Sequence, residues 1–285
     1  MNSRILIFGD GLLGGGFKKY LPSNFERTVI SHSECDIMNI TGVKKVVSDY
    51  NPDIIINTAA ITDVDYCENH QQEAFVVNSG GAGYIASVAR DRGIKVVHIS
   101  TDYVFDGKKG DRYLEDDETN PLSIYAKSKY EGEQLVSFSG ANYLIVRVQW
   151  LFGEFKETFI DKAIKKILNR EKVDAIVDQY GSPTYVKYIV YAISRLLNTD
   201  YKGIVHIASE GICSRYEQLL YITELLNIDN SLINPVKWGN LKNRAKRPEI
   251  IELSKERLFN LTGFKMPDWR KQTEEYISLQ YRSKI

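Results

Sequence analysis

Short apolar runs alternate with stretches of helical periodicity through the first half of the chain. Residues 4–8, 27–30, 54–57, 95–100 and 143–147 have the length and β-branched character of strands. Between them, residues 12–20, 42–50, 72–92 and 123–138 set apolar side chains three and four positions apart, as a helix with one buried face requires. The strand runs are apolar on both faces, which suits a parallel sheet covered on each side. The predicted fold is therefore α/β, a Rossmann-type doubly wound parallel sheet built from right-handed βαβ units. Ligands of such sheets lie at the carboxyl ends of the strands.

The rhythm changes after Trp150. A basic amphipathic helix is predicted over 158–170, a strand over 173–177, a long helix over 186–198 and another strand over 203–208. Residues 216–226 and 269–281 read as helices, and 242–247 is rich in Lys and Arg. Residues 1–150 are expected to form a dinucleotide-binding domain that regains about 178–208. Residues 151–177 and 209–285 are expected to form a smaller C-terminal α/β substrate-binding part.

Composition narrows the classes. Lys plus Arg (37) balances Asp plus Glu (37), so no global charge favours nucleic acid or an anionic membrane. No apolar run approaches the ~20 residues of a membrane span, and the strand-like start lacks a signal peptide's cleavage site. Cys35, Cys67 and Cys213 are odd in number and far apart, which argues for a reducing, cytoplasmic setting. The four histidines have no metal-ligand spacing, so no metal is expected.

Gly9-Asp10-Gly11-Leu12-Leu13-Gly14 follows the first strand and opens a helix. Glycine there permits a tight turn and close approach of a pyrophosphate to main-chain N–H groups at the helix start. The end of the second strand reads Ile30-Ser31-His32, with no carboxylate directly after it to prefer a ribose 2′-hydroxyl, so NADPH or NADH remains open. Tyr125 is the one tyrosine with Lys four residues on, Lys129. On a helix both side chains share a face, which suits a proton donor beside a fixed cation. An ammonium there, helped by an oxidised nicotinamide, is expected to lower the phenol's pKa. Thr101 ends the fourth strand candidate, where a hydroxyl can meet the same carbonyl.

These residues resemble the extended short-chain dehydrogenase/reductases and, among them, the dTDP-4-dehydrorhamnose reductases. The resemblance runs through nearly the whole chain. It rests on the glycine turn, Asn57-Thr58-Ala59-Ala60, Val64-Asp65, Cys67-Glu68, Asn78 and Ser100-Thr101-Asp102-Tyr103-Val104-Phe105-Asp106-Gly107. Further on it includes Tyr125-x-x-x-Lys129, Gly132-Glu133, Arg147-x-x-Trp150, residues 178–184, Arg247-Pro248 and Pro267-x-Trp269. It implies that Thr101, Tyr125 and Lys129 are catalytic, with Tyr125 the acid. It implies a cofactor site of Gly9, Gly11, Leu12, Leu13, Gly14, Asp36, Ile37, Ala59, Ala60, Asn78 and Ile99, joined by Tyr125 and Lys129. A nucleotide sugar would meet Thr101, Asp102, Tyr103, Tyr125, Trp150 and Arg247.

The activity so implied is NAD(P)H-dependent reduction of a 4-keto-6-deoxyhexose. Two readings compete with it: a bifunctional 3,5-epimerase/4-reductase using Cys67, and a non-catalytic regulatory subunit like methionine adenosyltransferase β. The chain departs from the family at two places. Its glycine turn is one residue shorter than G-x-x-G-x-x-G, and position 103 is Tyr where related 4,6-dehydratases carry Glu. The second departure disfavours dehydration. A homodimer is left open.

Overall fold

The computed structural model describes residues 3–242 and 244–281. Five strands, β1 (Ser3–Phe8), β2 (Phe25–Ile30), β3 (Ile54–Asn57), β4 (Lys95–Thr101) and β5 (Tyr143–Val148), are joined by a sixth, Gly203–Ile207. All pair in parallel, in the order Gly203–Ile207, β5, β4, β3, β1, β2. The order reverses between β1 and β3, and at such a switch point the loops leaving the two strands part and open a crevice. Register aligns Phe8 with Asn57 and Thr101 with Val148, so these strands end together at one rim.

The helices are α1 (Leu12–Tyr20), α2 (Ile40–Tyr50), α3 (Val64–Asn69), α4 (Gln71–Phe75), α5 (Ala82–Asp91), α6 (Ile124–Phe138), α7 (Phe159–Leu168), α8 (Val186–Leu196), α9 (Arg215–Leu226), α10 (Glu256–Thr262) and α11 (Trp269–Tyr281). Alternation along the strands feeds two cores. Ile5, Ile7 and Ile56 face α1 and α8, whereas Leu6, Phe8 and Ile55 face α2, α5 and α6. This is why the strands read as unbroken apolar runs. Gly16 lets α1 close on α8, since a Cβ there would sit 3.3 Å from Val186.

The region predicted as one helix over 72–92 is instead α4, a π-helical turn (Val76–Gly81) and α5. The wider turn carries the buried Asn78, whose Oδ1 accepts from Ile61 N at 2.8 Å and whose Nδ2 donates to Ile61 O and Ser128 Oγ, both at 3.0 Å. An extra residue per turn at such a point commonly marks a functional constraint. Here it pins the loop leaving β3. The later chain also holds a short parallel pair, Val173–Ile176 with Ile233–Val236; the second strand, α3 and α10 were not anticipated.

Glu133 on α6 and Arg147 on β5 form an ion pair at 2.8 Å with side chains 1% and 3% exposed. Arg147 also donates to Glu115 O at 3.2 Å. Among the described residues, no helix is long and apolar enough to cross a membrane, no group of three His, Cys, Asp or Glu is placed to hold a metal ion, and Cys35, Cys67 and Cys213 are free and buried. Glu133→Ala strands a buried guanidinium and should cost ~3–5 kcal/mol, whereas an apolar pair at 133 and 147 should recover most of it. Urea midpoints of the two variants check this; equal losses would show that the pair is not what holds α6.

Candidate active site

A cavity of about 430 Å³ opens at the switch point. Its floor is Gly11, Leu12 and Leu13 after β1, Thr58 and Ala60 after β3, and Ile99 on β4. Thr101, Asp102, Tyr103, Tyr125 and Lys129 form one wall. Trp150, residues 156–160 and Arg215 close the other side.

The glycines divide the work at the floor. Gly9 adopts φ 98°, and a Cβ there would lie 2.8 Å from Ala59 N; a Cβ on Gly14 would lie 1.9 Å from Gly9 O. Both are required by backbone packing behind the cavity. Gly11 meets nothing within 4 Å of a built Cβ, so its place faces open space. It caps α1 without a side-chain bond, leaving first-turn N–H groups aimed at the cavity. Thr58 Oγ1 donates to Phe8 O and Gly9 O at 2.9 and 3.0 Å, clasping the loops after β3 and β1 together.

The wall that carries the candidate catalytic residues is assembled by one strand end and one helix start. Ser123 caps α6 by accepting from Ala126 N at 3.2 Å, so Tyr125 and Lys129 project from its first turns toward the end of β4. The Thr101 hydroxyl stands near the Tyr125 phenol and favours its ionised form. Lys129, 3% exposed, donates from Nζ to Ile99 O at 2.6 Å. Burial lowers its pKa to about 8, while nearby Glu133 pulls the other way. Burial, reinforced by Asp102, Tyr103 and Cys67, raises the Tyr125 pKa well above the ordinary phenol value. Desolvation is the largest influence, so the phenol keeps its proton at neutral pH.

Asp102 is also buried, and desolvation raises its carboxyl to about 7 against hydrogen bonds from Gln149 and Thr101. Trp150, with φ 43°, turns its ring under the Arg215 guanidinium at 3.9 Å. Gly181 makes room for that ring, since a Cβ there would approach Trp150 Cε2 to 2.8 Å. Arg215 was missed by sequence reasoning. It follows the α9 cap Ser214, and its one local signal was the capping box Ser214-x-x-Glu217, which marks a helix start and no ligand. Burial lowers its pKa to about 10, so it stays charged.

Several expected site residues lie outside the lining of this cavity. Asp36 uses Oδ1 to accept from Met38 N, and Ile37 is core, packed where a Cβ on Gly81 would be 2.5 Å away. Neither they, Ala59 nor Asn78 lines this cavity. Arg247 is also outside the lining, because its guanidinium pairs with Asp65 at 3.0 Å and covers the Trp238 ring at 4.4 Å. Burial works against the Asp65 carboxylate, yet Arg247, Ala245 N and Arg244 hold it down to about 2. Arg247 lowers the Tyr103 phenol's pKa against the larger effect of burial, so its charge is felt from behind the wall.

The profile of the RmlD substrate binding domain matches residues 3–282. The chain belongs to the dTDP-4-dehydrorhamnose reductase family. A reductase of that name from Aggregatibacter actinomycetemcomitans is 33% identical, with 94% of this chain and 96% of the relative covered. The dTDP-4-keto-6-deoxy-D-glucose reductase of Streptomyces niveus is 34% identical over 89% of each chain. The crystal structure of the dTDP-4-dehydrorhamnose reductase from Bacillus anthracis str. Ames in complex with NADP is similar at a TM-score of 0.93 and 34% identity, covering 98% of this chain and 100% of that one.

As in other members of the dTDP-4-dehydrorhamnose reductase family, the chain is an NAD(P)H-dependent oxidoreductase, and its floor fits a nicotinamide dinucleotide. Open space over Gly11 and the free N–H groups of α1 suit a pyrophosphate. Gly11→Val should weaken NADPH binding at least ~10-fold, about 1.4 kcal/mol, with the melting temperature unchanged because the new side chain enters empty space. Fluorescence titration and thermal denaturation read the two effects. Unaltered affinity would place the dinucleotide elsewhere.

Proposed function

We propose that the protein reduces the C4 keto group of a nucleotide-linked 4-keto-6-deoxyhexose, with dTDP-4-dehydro-L-rhamnose giving dTDP-L-rhamnose as the best-supported substrate and product. The observation that carries this is the convergence of Thr101, a protonated Tyr125 and Lys129 on one wall of the cavity. NADPH or NADH bound on the floor would supply the hydride to carbon. Tyr125 gives its phenolic proton to the carbonyl oxygen, and solvent later restores it. Thr101 holds that oxygen, and Lys129 stabilises the tyrosinate left behind. Burial makes each of these interactions stronger than it would be in water.

Arg215, stacked on Trp150, offers a fixed cation to the diphosphate of the nucleotide. Lys156 on the same side offers a second. Tyr103 lies edge-on to Tyr125, ring centroids 6.1 Å apart, so the residue after Asp102 provides no carboxylate for eliminating water. This supports reduction over dehydration. Cys67 is fully buried, and desolvation with Asp63, Glu68 and Glu73 raises its thiol to about 11. Such a thiol is a poor base at neutral pH, which argues against epimerisation. The intact Tyr125, Lys129 and Thr101 wall argues against a purely regulatory role.

With dTDP-4-dehydrorhamnose and NADPH, Tyr125→Phe should lower kcat ~10²–10⁴-fold, the usual worth of a positioned general acid. NADPH oxidation at the wild-type rate by that variant would remove Tyr125 from the chemistry. In the same assay run in deuterated water, no label is expected at C3 or C5 of the sugar. Label there would instead support the bifunctional enzyme.

A further inference from the structure

We propose that Asp102 is a positioning residue that decides where Thr101 places its single hydroxyl proton, so that Thr101 donates to the substrate carbonyl only while Asp102 is itself protonated. The proposal rests on the reductase reading above and deepens it.

The argument is a count of donors and acceptors around one hydroxyl. Thr101 has one proton and two lone pairs. The N–H of Tyr103, which can only donate, lies 3.2 Å from Thr101 Oγ1 and takes one lone pair. The Tyr125 phenol stands near the same hydroxyl on the cavity wall. Asp102 Oδ1 lies 3.1 Å away on the third side. An ionised carboxylate can only accept, so it claims the Thr101 proton and leaves the hydroxyl nothing to offer a carbonyl. A protonated Asp102 reverses that bond. It donates to Thr101 Oγ1, and the Thr101 proton is released toward the cavity.

The carboxyl has a fixed orientation for this exchange. Its Oδ2 accepts from Gln149 Nε2 at 2.8 Å. The Gln149 amide cannot flip, because its Oε1 accepts from Ser182 N at 2.8 Å and its Nε2 also donates to Ile251 O at 3.0 Å. Oδ2 is therefore held as an acceptor, and a proton on Asp102 belongs on Oδ1, facing Thr101. The other groups around the carboxyl are Tyr103 on its own turn, Tyr125 on α6, Arg215 on α9 and, through Tyr103, Arg247. Arg215 favours the ionised form, and burial favours the neutral one and prevails. The carboxyl therefore changes state near pH 7, within the working range of an enzyme.

The test compares pH profiles of kcat for wild type, Asp102→Asn and Thr101→Val, from about pH 6 to about pH 8.5, either side of the Asp102 pKa of about 7. Wild-type kcat should fall about tenfold per pH unit above that value toward a floor ~10²-fold lower, the usual worth of one donor to a developing oxyanion. Asn mimics the protonated acid, with its carbonyl toward Gln149 and its N–H toward Thr101. Asp102→Asn should therefore abolish this limb and leave only a later one, set by Lys129 near 8. Thr101→Val should be slow and equally flat through pH 7, since Asp102 acts only through Thr101. A limb near pH 7 that persists in either variant overturns the proposal.

Infrared difference spectra supply an arm independent of turnover. A protonated-carboxyl stretch should be present in wild type at about pH 6, gone at about pH 8.5 and missing from Asp102→Asn at both. Absence of that band overturns the proposal even where reduction is fast. The band together with no turnover of any 4-keto sugar overturns the reductase reading instead.

Discussion

The buried pairing of Glu133 with Arg147 is the constraint on which the site depends. α6 carries Tyr125 and Lys129 but is weakly amphipathic, with Ser128, Lys129 and Glu133 all on its buried side. Apolar packing alone would not seat such a helix on the sheet. Three contacts from the Arg147 guanidinium to the Glu133 carboxylate, at 2.8, 3.0 and 3.3 Å, fix its rotation and height over β4 and β5. One turn earlier, the same rotation delivers Lys129 to the Ile99 carbonyl and Tyr125 to the end of β4. The cost of burying charge beside Lys129 is offset by this geometry, and Glu133 counters the lysine's desolvation.

Burial also sets the chemistry of the wall. Tyr125, Lys129, Asp102 and Arg215 are all shifted toward their neutral forms, because desolvation is the largest influence on each. A phenol that holds its proton, a lysine poised near 8 and a carboxyl poised near 7 then sit in one cavity. Groups whose charge states are this finely balanced characterise a reacting centre more than a binding surface.

The central sheet was legible in the sequence because each of its strands is apolar on both faces, and a parallel sheet under two layers of helix requires that. The Tyr125–Lys129 pair was legible because four-residue spacing survives into any helix. Contacts made by tertiary structure were not. Arg215 comes from far along the chain and is recognisable only once Trp150 and Phe159 surround its guanidinium. The π turn at Asn78 leaves no mark in apolar periodicity, because the residues on either side continue the helical pattern. Strand Ile233–Val236 contains Asn234-Pro235, which reads as a turn, yet it pairs as a short edge with Val173–Ile176. Asp36 and Arg247 lie outside the lining of this cavity, with Asp36 accepting from Met38 N and Arg247 paired with Asp65.

The edge strand Gly203–Ile207 reaches β5 only after the chain has built α7 and α8. During synthesis, then, the N-terminal half leaves the ribosome with the β5 margin of its sheet bare, an adhesive edge of unpaired N–H and C=O groups. The nascent protein can pair with other chains through that margin until the late strand emerges to cover it.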